Sequence, residues 1–472
     1  MKSKMIFFLA ASSMALATAA ATAQQFEPFG LQDKIVTAMT HYAGSIYAAT
    51  ENDGVYRRYL GQPDSGWVHL GVPAKNLTSI FAFHTFCPLK CWKGVLAGAT
   101  LNPAQKDSAL IYFYQQRPDT CRQNGSWAVA DSGIDRNAAR QIYALGGIDV
   151  CHPIAPTYVT AFAAAANAIW RSEDRGKSWK QVWQSAGASI LTFATRPRSL
   201  LSSDDEIWAG GSLIDAAGRR KPLMLRSTDS GNHWEDRSGQ TNSGNDECRA
   251  LALDPSDTNT VYAALQHDII KSQDGGKTWI NTTPLDRGHF YNTLAINPQR
   301  PQHILAGGTY SDLPIQFLLN ESVDGGKTWS VPFGSGPLKP VTGLIFDPVD
   351  AQSVYIATRG SGVYRYRILS VGVEEARNAP ESFQLFANFP NPFAINENAA
   401  LTLRLKVSTA DQIVFRLFNV VGQEIGRWKI VAASGEQNIS LPFDQAKLTS
   451  GIYFMQAQWR GQRITRKWTV LR

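Results

Sequence analysis

The sequence predicts an all-β protein, in which a seven-bladed β-propeller is followed by a small Ig-like β-sandwich. Three observations lead to this prediction: a tryptophan-ended motif that recurs about every 50 residues, short apolar runs between Gly, Pro and Asn turns, and no long helical apolar period beyond the first residues. The chain of 472 residues has room for more than one domain. We expect a leader over 1–23, the propeller over 24–370, a linker over 371–380 and the sandwich over 381–472.

The first residues have the composition of a secretory signal peptide. Met1–Lys4 is basic, Met5–Ala17 is mostly apolar, and Ala21–Ala23 offers the small residues of a cleavage site. A membrane anchor needs about 20 unbroken apolar residues, whereas three hydroxyl side chains interrupt this run. We therefore expect the mature chain to leave the cytoplasm and to contain no transmembrane helix.

The recurring motif has the form Ser-x-Asp-x-Gly-x-x-Trp. Its four complete copies are Ser172–Trp179, Ser227–Trp234, Ser272–Trp279 and Ser322–Trp329, and their tryptophans lie 55, 45 and 50 residues apart. This spacing is typical of a propeller in which each repeat forms one four-stranded blade. Because each copy lies between two apolar runs, it predicts a hairpin turn between two antiparallel strands.

The residue types of the motif suit such a turn. The Ser hydroxyl and the Asp carboxylate can accept hydrogen bonds from turn N–H groups, and Gly permits positive φ. The Trp is expected to pack on the next sheet and to bury about 150–250 Å². We therefore expect a structural role for the repeated residues Asp174, Trp179, Asp229, Trp234, Asp274, Trp279, Asp324 and Trp329.

The motif resembles the Asp-box, or BNR repeat, of sialidases, sortilin-type receptors and many secreted propellers. The resemblance implies a fold and says little about function, because four equivalent carboxylates on four blades cannot share one active site. Degenerate copies end at Trp67 and Trp127, and strand pairs such as Ala250–Pro255 with Val261–Ala264 precede each turn. Together these segments account for seven blades.

The seventh blade, from about Val341 to Ile368, supplies only three strands. The segment Phe26–Leu31 parallels Trp67–Val72, which ends blade one. We therefore expect the N-terminal segment to pair into the last blade and to close the ring, which would leave no long open edge.

Charge and cysteine content exclude some classes of protein. The formal charge of +7 falls to +5 without the two lysines of the leader, and the basic residues are scattered, so neither nucleic-acid binding nor a membrane-surface role is expected. Five cysteines leave at least one unpaired. Cys87 with Cys91 and Cys121 with Cys151 form one compatible set of disulfides, and Cys248 is expected to be a buried free thiol. The Cys and His spacings do not match a zinc site.

The tail carries a second set of motifs after the polar linker. Asn-Phe-Pro-Asn-Pro-Phe ends at Phe393, Phe-Asn-Val-Val-Gly-Gln-Glu ends at Glu424, and Ser-Gly-Ile-Tyr-Phe ends at Phe454, before a basic and apolar C-terminus. Short alternating strands with Gly, Pro and Asn turns over about 90 residues suit a two-sheet sandwich.

These motifs, in this order, closely resemble the C-terminal sorting domain, type A, of cargo of the type IX, or Por, secretion system. The resemblance covers 381–472. It implies a bacterium of the Bacteroidetes kind or a relative, Sec export, and transfer across the outer membrane to the surface or the medium. The implied partners are the type IX machinery and a sortase-like peptidase. The alternative is an ordinary Ig-like accessory module that binds substrate or stiffens the chain.

By analogy with Asp-box propellers, the motif turns lie on the outer, lower side. The loops between blades, and those between the second and third strands of a blade, then build the ligand face. An Arg and aromatic rim suits a carboxylated or sugar ligand, and solvated loop charge is the alternative for each residue. The candidates are Arg136, Arg140, Asp215, Arg219, Arg249, Arg287, His289, Tyr291, Tyr310 and Asp312.

Three functions stay open at this stage: a surface propeller that binds glycan or protein, a glycoside hydrolase or lyase of the sialidase-like or xyloglucanase-like group, and an assembly or adhesion module. The Arg-Ile-Pro-like start of sialidases does not occur, and xyloglucanase relatives use two propellers where this chain has length for one. A hydrolase needs carboxylates about 5–9.5 Å apart, and the pairs to inspect are Asp246 with Asp286 and Asp215 with Asp312. The sequence therefore assigns no catalytic residue, cofactor site or metal ligand.

Overall fold

The computed structural model describes residues 26–471 except for 62–64, 73–75, 85–92, 103, 105–107, 116–124, 151–157, 197–204, 240–245, 284–288, 311–316, 333–338, 369–382, 386–392, 395–400, 420–422, 442–447, 450 and 461. The predicted leader, the linker and four of the five cysteines lie outside the described residues. The signal peptide and the disulfide pairing therefore stay predictions.

Seven antiparallel sheets follow one another in the described part of the propeller, and each forms one blade. The strands of blades one to four are β2 (Val36–Tyr42), β3 (Ser45–Thr50), β4 (Val55–Tyr59) and β5 (Val68–Gly71); β6 (Leu77–His84), β7 (Lys93–Ala99), β8 (Ile111–Gln115) and β9 (Ser126–Val129); β10 (Ile142–Val150), β11 (Tyr158–Ala165), β12 (Ala168–Ser172) and β13 (Lys180–Gln184); and β14 (Ala188–Arg196), β15 (Glu206–Ile214), β16 (Arg220–Ser227) and β17 (Glu235–Asp236). Those of blades five to seven are β18 (Cys248–Leu253), β19 (Val261–Leu265), β20 (Ile269–Ser272) and β21 (Ile280–Asn281); β22 (His289–Asn297), β23 (Arg300–Tyr310) and β24 (Leu318–Ser322); and β25 (Val341–Phe346), β26 (Ser353–Thr358) and β27 (Val363–Arg367), with β1 (Phe26–Gly30) as the outer strand of blade seven.

The first strand of each blade is the innermost, and these strands contact one another around the ring. Contacts join β2 to β6, β6 to β10 and so on through β14, β18, β22 and β25, which in turn contacts β2. A closed ring of seven inner strands surrounds a channel along its axis. The predicted seven-bladed propeller is confirmed.

The strand β1 closes the ring, because it runs antiparallel to β27 at the outer edge of blade seven. Phe26 lies opposite Tyr366 and is 1% exposed, and the two rings stack with centroids 4.9 Å apart. Glu27 forms an ion pair with Arg365 on the partner strand. The predicted closure by the N-terminal segment is confirmed.

The four motif turns share one geometry, which the third copy illustrates. Ser272 Oγ accepts the N–H of Gly276 at 2.8 Å and donates to Asp274 Oδ1 at 2.8 Å. Asp274 Oδ1 also accepts the backbone N–H of Thr278 at 2.9 Å. Gly276 has a φ of 84°, and a Cβ there would lie 2.5 Å from the Trp208 ring, so both backbone conformation and space require glycine. The turn N–H groups are thus paired in the way the sequence predicts.

The motif tryptophans join each blade to the one before it. The indole Nε1–H of Trp179 donates to the carbonyl of Ala130, just past the outer strand of blade two, at 2.7 Å. The same bond recurs at 2.7–2.9 Å as Trp67 to Phe29, Trp127 to Leu70, Trp279 to Arg237 and Trp329 to Thr282. The sequence placed these rings on the next sheet, whereas the structure places them on the preceding one. Strand twist explains the difference, because it brings the end of each outer strand beside the following blade's turn.

Apolar side chains fill the spaces between neighbouring blades. One cluster combines Phe83 and Leu96 of blade two with Ile142, Ala161 and Trp179 of blade three. Burial of this kind contributes about 25 cal/mol for each Å² of apolar surface removed from water.

Cys248, at the start of β18, is buried and unpaired, so the predicted free thiol is confirmed. Burial is the main cause that raises the pKa of this thiol well above its usual value, and repulsion from the nearby Asp246 carboxylate raises it further. The thiol is therefore protonated and unreactive at neutral pH.

The tail is a separate pair of sheets, as predicted. One sheet contains β28, β30 and β33, and the other contains β29, β35, β34, β31 and β32. Their bounds are β28 (Phe383–Leu385), β29 (Phe393–Ala394), β30 (Leu401–Val407), β31 (Asp411–Asn419), β32 (Glu424–Ala432), β33 (Gly435–Leu441), β34 (Gly451–Trp459) and β35 (Gln462–Leu471). Trp459 and Trp468 are fully buried between the sheets, with Leu403 and Phe415.

Candidate functional site

The two ends of the channel carry different connections. In blade three, the start of β10 pairs with the end of β11, through Ile142 and Ala165, whereas the motif turn follows Ser172 at the opposite end. Loops between blades, and those between second and third strands, therefore meet at one end of the channel. We call this end the loop face.

All seven inner strands contain a β-bulge at the same place, close to the loop face. In each strand the register with the second strand shifts by one residue, for example between Ile142 and Ala144 in β10. A bulge leaves one residue without a partner in the ladder and redirects its side chain. These seven residues, which we call the bulge ring, are Thr37, Thr78, Tyr143, Leu191, Arg249, Asn292 and Thr342.

The bulge ring surrounds a cavity of about 810 Å³ in the channel, which we call the cup. Side chains two residues apart on a strand point to the same side, so a second ring lies one level deeper. This apolar ring consists of Met39, Ile80, Leu145, Phe193, Leu251, Leu294 and Leu344, all of which line the cup. Glu51, Asn76, Gln141 and Arg359 line its rim at the loop face. The cup thus has an apolar floor and a polar rim.

Four members of the bulge ring are Thr or Asn, and three of them join neighbouring blades. Thr342 Oγ1 donates to the carbonyl of Val36 in blade one at 2.7 Å, and Asn292 Nδ2 donates to that of Val341 at 3.3 Å. Thr78 makes the equivalent bond to blade three, and Thr37 bonds within its own blade. The hydroxyl protons of these threonines are committed to backbone carbonyls, so their oxygens remain as acceptors.

The three remaining members, Tyr143, Leu191 and Arg249, lie on the adjacent blades three, four and five. Tyr143 is 40% exposed at the rim. The Arg249 side chain is 39% exposed and pairs with Glu247, which also binds Arg220 at 3.0 Å. The Arg249 Nε is enclosed and has no hydrogen-bond partner among the described residues. We call Tyr143, Leu191 and Arg249 the variant sector.

Of the predicted ligand-face residues that the structure describes, Arg249 alone lines the cup. Arg136 instead binds Asp131 through two bonds of 2.9 and 2.6 Å within its own loop. Arg219 and Lys221 surround Asp215, and backbone and side-chain hydrogen bonds led by the Arg219 N–H lower the pKa of Asp215 to about 2. These loop charges are therefore paired locally.

The other predicted site residues differ in position. Arg140 is exposed near the rim, and its carbonyl accepts the N–H of Leu101 at 2.8 Å. His289, Tyr291 and Tyr310 are buried in blade six rather than presented on the loop face, because they belong to the paired strands β22 and β23. Arg287 and Asp312 lie outside the described residues.

One member of each carboxylate pair considered for hydrolysis, Asp286 or Asp312, lies outside the described residues. Asp246 is 2% exposed and accepts backbone N–H bonds from Glu247 at 2.7 Å and from Gln266 at 2.8 Å. These hydrogen bonds to the backbone fix the position of the Asp246 carboxylate.

No set of three or more His, Cys, Asp or Glu side chains within the described ranges is arranged to hold a metal ion. In the same part of the chain, none of the elements is a helix long and apolar enough to span a membrane.

Comparison with known families decides the nature of the tail. Residues 387–471 match the family described as a secretion system C-terminal sorting domain. The tail is a type IX secretion sorting domain. It directs the protein to the cell surface or the extracellular space. No curated protein is significantly similar to the chain in sequence.

Solved structures resemble the chain in fold at low identity. The GH74 enzyme of Niastella koreensis is 15% identical, with 95% of this chain and 75% of that chain covered and a TM-score of 0.51. YCF48 bound to a D1 peptide is 15% identical, with 74% and 98% covered and a TM-score of 0.47. The computationally designed Ika8 protein is 12% identical, with 71% and 97% covered and a TM-score of 0.42. At 15% identity, the similarity to the GH74 enzyme supports the fold of this chain and not its function.

Sequence interpretation missed the cup and most of the bulge ring. A signal for them exists, because the bulge residue always precedes one small residue and then one large apolar residue, as in Arg249-Ala250-Leu251 and Thr342-Gly343-Leu344. Aligning the seven inner strands on that phrase would have identified the bulge ring.

Proposed function

We propose that the protein is a secreted binding propeller whose cup receives part of a glycan or protein ligand. The observation that carries this proposal is the cup itself, with a volume of about 810 Å³, an apolar floor and a polar rim. Ligand sites are typically concave, about 300–1,000 Å³ in volume, and mostly apolar with a few placed polar groups. The cup is concave, has a volume in this range and carries polar groups at its rim.

Pairing of the nearby carboxylates favours binding over hydrolysis. Glu51 at the rim faces Arg359 at 3.6 Å, and Glu247 is shared by two arginines. A glycosidase needs a carboxyl group that is free to act on its substrate, whereas guanidinium groups engage both of these carboxylates. The glycoside hydrolase of the sialidase-like or xyloglucanase-like group is kept as the alternative outcome of the experiment below.

The proposal also includes the route by which the protein is exported. We infer that a leader over 1–23 is removed, that the propeller spans 24–370, and that a linker over 371–380 joins it to the sorting domain over 381–472. The Ser-x-Asp-x-Gly-x-x-Trp turns are then Asp-box repeats with a structural role. A sortase-like peptidase is the partner expected to process the tail.

A screen of the full chain against glycans and proteins of the cell surface tests the proposal, with both binding and reducing-end release measured. Gln141→Trp places a large ring at the rim of the cup, and we expect it to weaken binding at least about tenfold. Gln181→Trp makes the same change on the exposed outer strand of blade three and serves as the matched control. Full affinity in the Gln141→Trp protein contradicts the site, and release of reducing ends supports the hydrolase.

A further inference from the structure

The seven-fold repetition of the bulge ring separates its structural members from its variable ones. Thr78, Asn292 and Thr342 each donate to a backbone carbonyl of the following blade, so Thr or Asn at this position stabilises the ring. The variant sector gives up that bond on three adjacent blades. Tyr143 is exposed, and Leu191 and Arg249 are partly exposed. Loss of a stabilising bond at three adjacent positions, with such side chains in its place, is the pattern expected where binding rather than folding selects the residue.

The variant sector combines a flat aromatic surface with a cation. Tyr143 is one of two aromatic rings that are more than one-third exposed among the described residues, and the other, Tyr59, ends β4 at the opposite end of its blade. Arg249 forms an ion pair with Glu247 through one guanidinium nitrogen, and its side chain has further N–H donors. An aromatic face on blade three and a guanidinium on blade five, which line one cavity with Leu191 of blade four between them, suit a ligand with a ring and an anionic group.

The rest of the wall can bind hydroxyl groups. The threonine hydroxyls of the bulge ring donate to backbone carbonyls, which leaves their oxygens as acceptors toward the cup. The side-chain amides of Asn76 and Gln141 at the rim add N–H donors. A sugar hydroxyl both donates and accepts, so it can bind either kind of group.

We propose that the variant sector binds an acidic sugar unit, with the ring face against Tyr143 and the carboxylate at Arg249. The proposal rests on the proposed function, because it names the ligand class for the same cup. Uronic acid residues of acidic polysaccharides have the required chemistry: a pyranose ring with one apolar face, several hydroxyl donors and one carboxylate.

Calorimetric titration of the full chain with trigalacturonate and with its methyl ester tests this proposal. The ester keeps the rings and hydroxyls and removes the charge, so we expect it to bind about tenfold more weakly. Arg249→Gln is expected to weaken binding of the acid about tenfold and to abolish the difference between acid and ester. Tyr143→Thr restores the repeated residue type and is expected to weaken both ligands by the same factor.

Controls make the outcomes distinct. Arg300→Gln removes an exposed charge at the opposite end of blade six, and its affinity should equal that of the unmodified chain. Glu247 keeps Arg220 in the Arg249→Gln protein, so its melting temperature should change little. Equal affinity for acid and ester, or an unchanged preference in Arg249→Gln, overturns the inference. A peptide or neutral glycan that competes for the cup overturns the inference and leaves the proposed function standing, whereas failure of every ligand class overturns both.

Discussion

At the scale of single residues, each motif turn contains a carboxylate that stabilises the turn itself and an indole that contacts a neighbouring blade. Burial raises the pKa of Asp229, but hydrogen bonds led by the backbone and side chain of His233 outweigh it and bring the pKa to about 2. The carboxylate is therefore ionised at neutral pH and holds its own turn. The indole acts between blades, because the N–H reaches the preceding sheet from five of the six tryptophans that end a complete or degenerate copy of the motif.

Trp179→Phe removes the inter-blade bond to the carbonyl of Ala130 and keeps an aromatic ring in place. We expect the free energy of unfolding to fall by about 1–3 kcal/mol, because a buried carbonyl loses its partner. Trp234→Phe is the matched control, since the Trp234 indole donates to Gly231 of its own turn and, among the described residues, to no other blade. Urea denaturation of both proteins measures the difference. Equal losses would falsify the inter-blade role of the indole.

At the scale of elements, β1 is the strand on which closure of the ring depends. It contributes no residue to the inner wall of the channel, yet its edge completes the sheet of blade seven. Phe26 packs between Tyr366 and Phe317, with ring centroids 4.9 and 5.6 Å apart. The Trp67 indole of blade one donates to the carbonyl of Phe29, so the closing strand is bonded on both sides.

Phe26→Ala is expected to lower the free energy of unfolding by about 3–5 kcal/mol, because it empties a fully enclosed aromatic site. Glu27→Gln, on the neighbouring residue of the same strand, removes half-exposed ion pairs and should cost less than about 1 kcal/mol. Thermal and urea denaturation of the full chain measure both. A melting temperature of the Phe26→Ala protein that equals the unmodified value contradicts the role of β1.

The inner strands show which parts of the fold could be predicted from the sequence. The number of blades and the closure followed from the spacing of tryptophans and from one recurring phrase. The bulges did not, because a bulge changes register without changing the alternation of residue types on either side of it. The burial of His289, Tyr291 and Tyr310 was missed because these residues lie at strand ends, where β22 begins earlier and β23 ends later than the polar pattern indicates.

At the scale of the whole molecule, the chain separates recognition from delivery. The cup lies in the propeller, whereas the sorting domain has a core of its own that contains residues of the tail alone. Each unit therefore has the apolar core that independent folding requires.

Deletion of 381–472 is expected to keep the propeller in the periplasm of a host with a type IX system, since the sorting domain directs export. The measurement is an immunoblot of periplasm, cell surface and medium, with the full chain as the control. A periplasmic reporter fused to 375–472 should show the opposite behaviour and leave the cell. Appearance of the truncated protein outside the cell at the level of the full chain contradicts this prediction.

The pairing of β1 with β27 also sets the order in which the molecule can be completed. Glu27 and its partner Arg365 are 338 residues apart in the chain, so the first strand of the propeller can pair only after its last strand has been synthesised. Contacts this distant in sequence form slowly, because the entropy of closing the intervening segment must be overcome before they contribute. A nascent or truncated chain that stops before Val363 has no partner for its first strand and exposes an unpaired edge. The ring can therefore close only after the whole propeller has been translated. Partial chains are expected to be substrates for proteolysis.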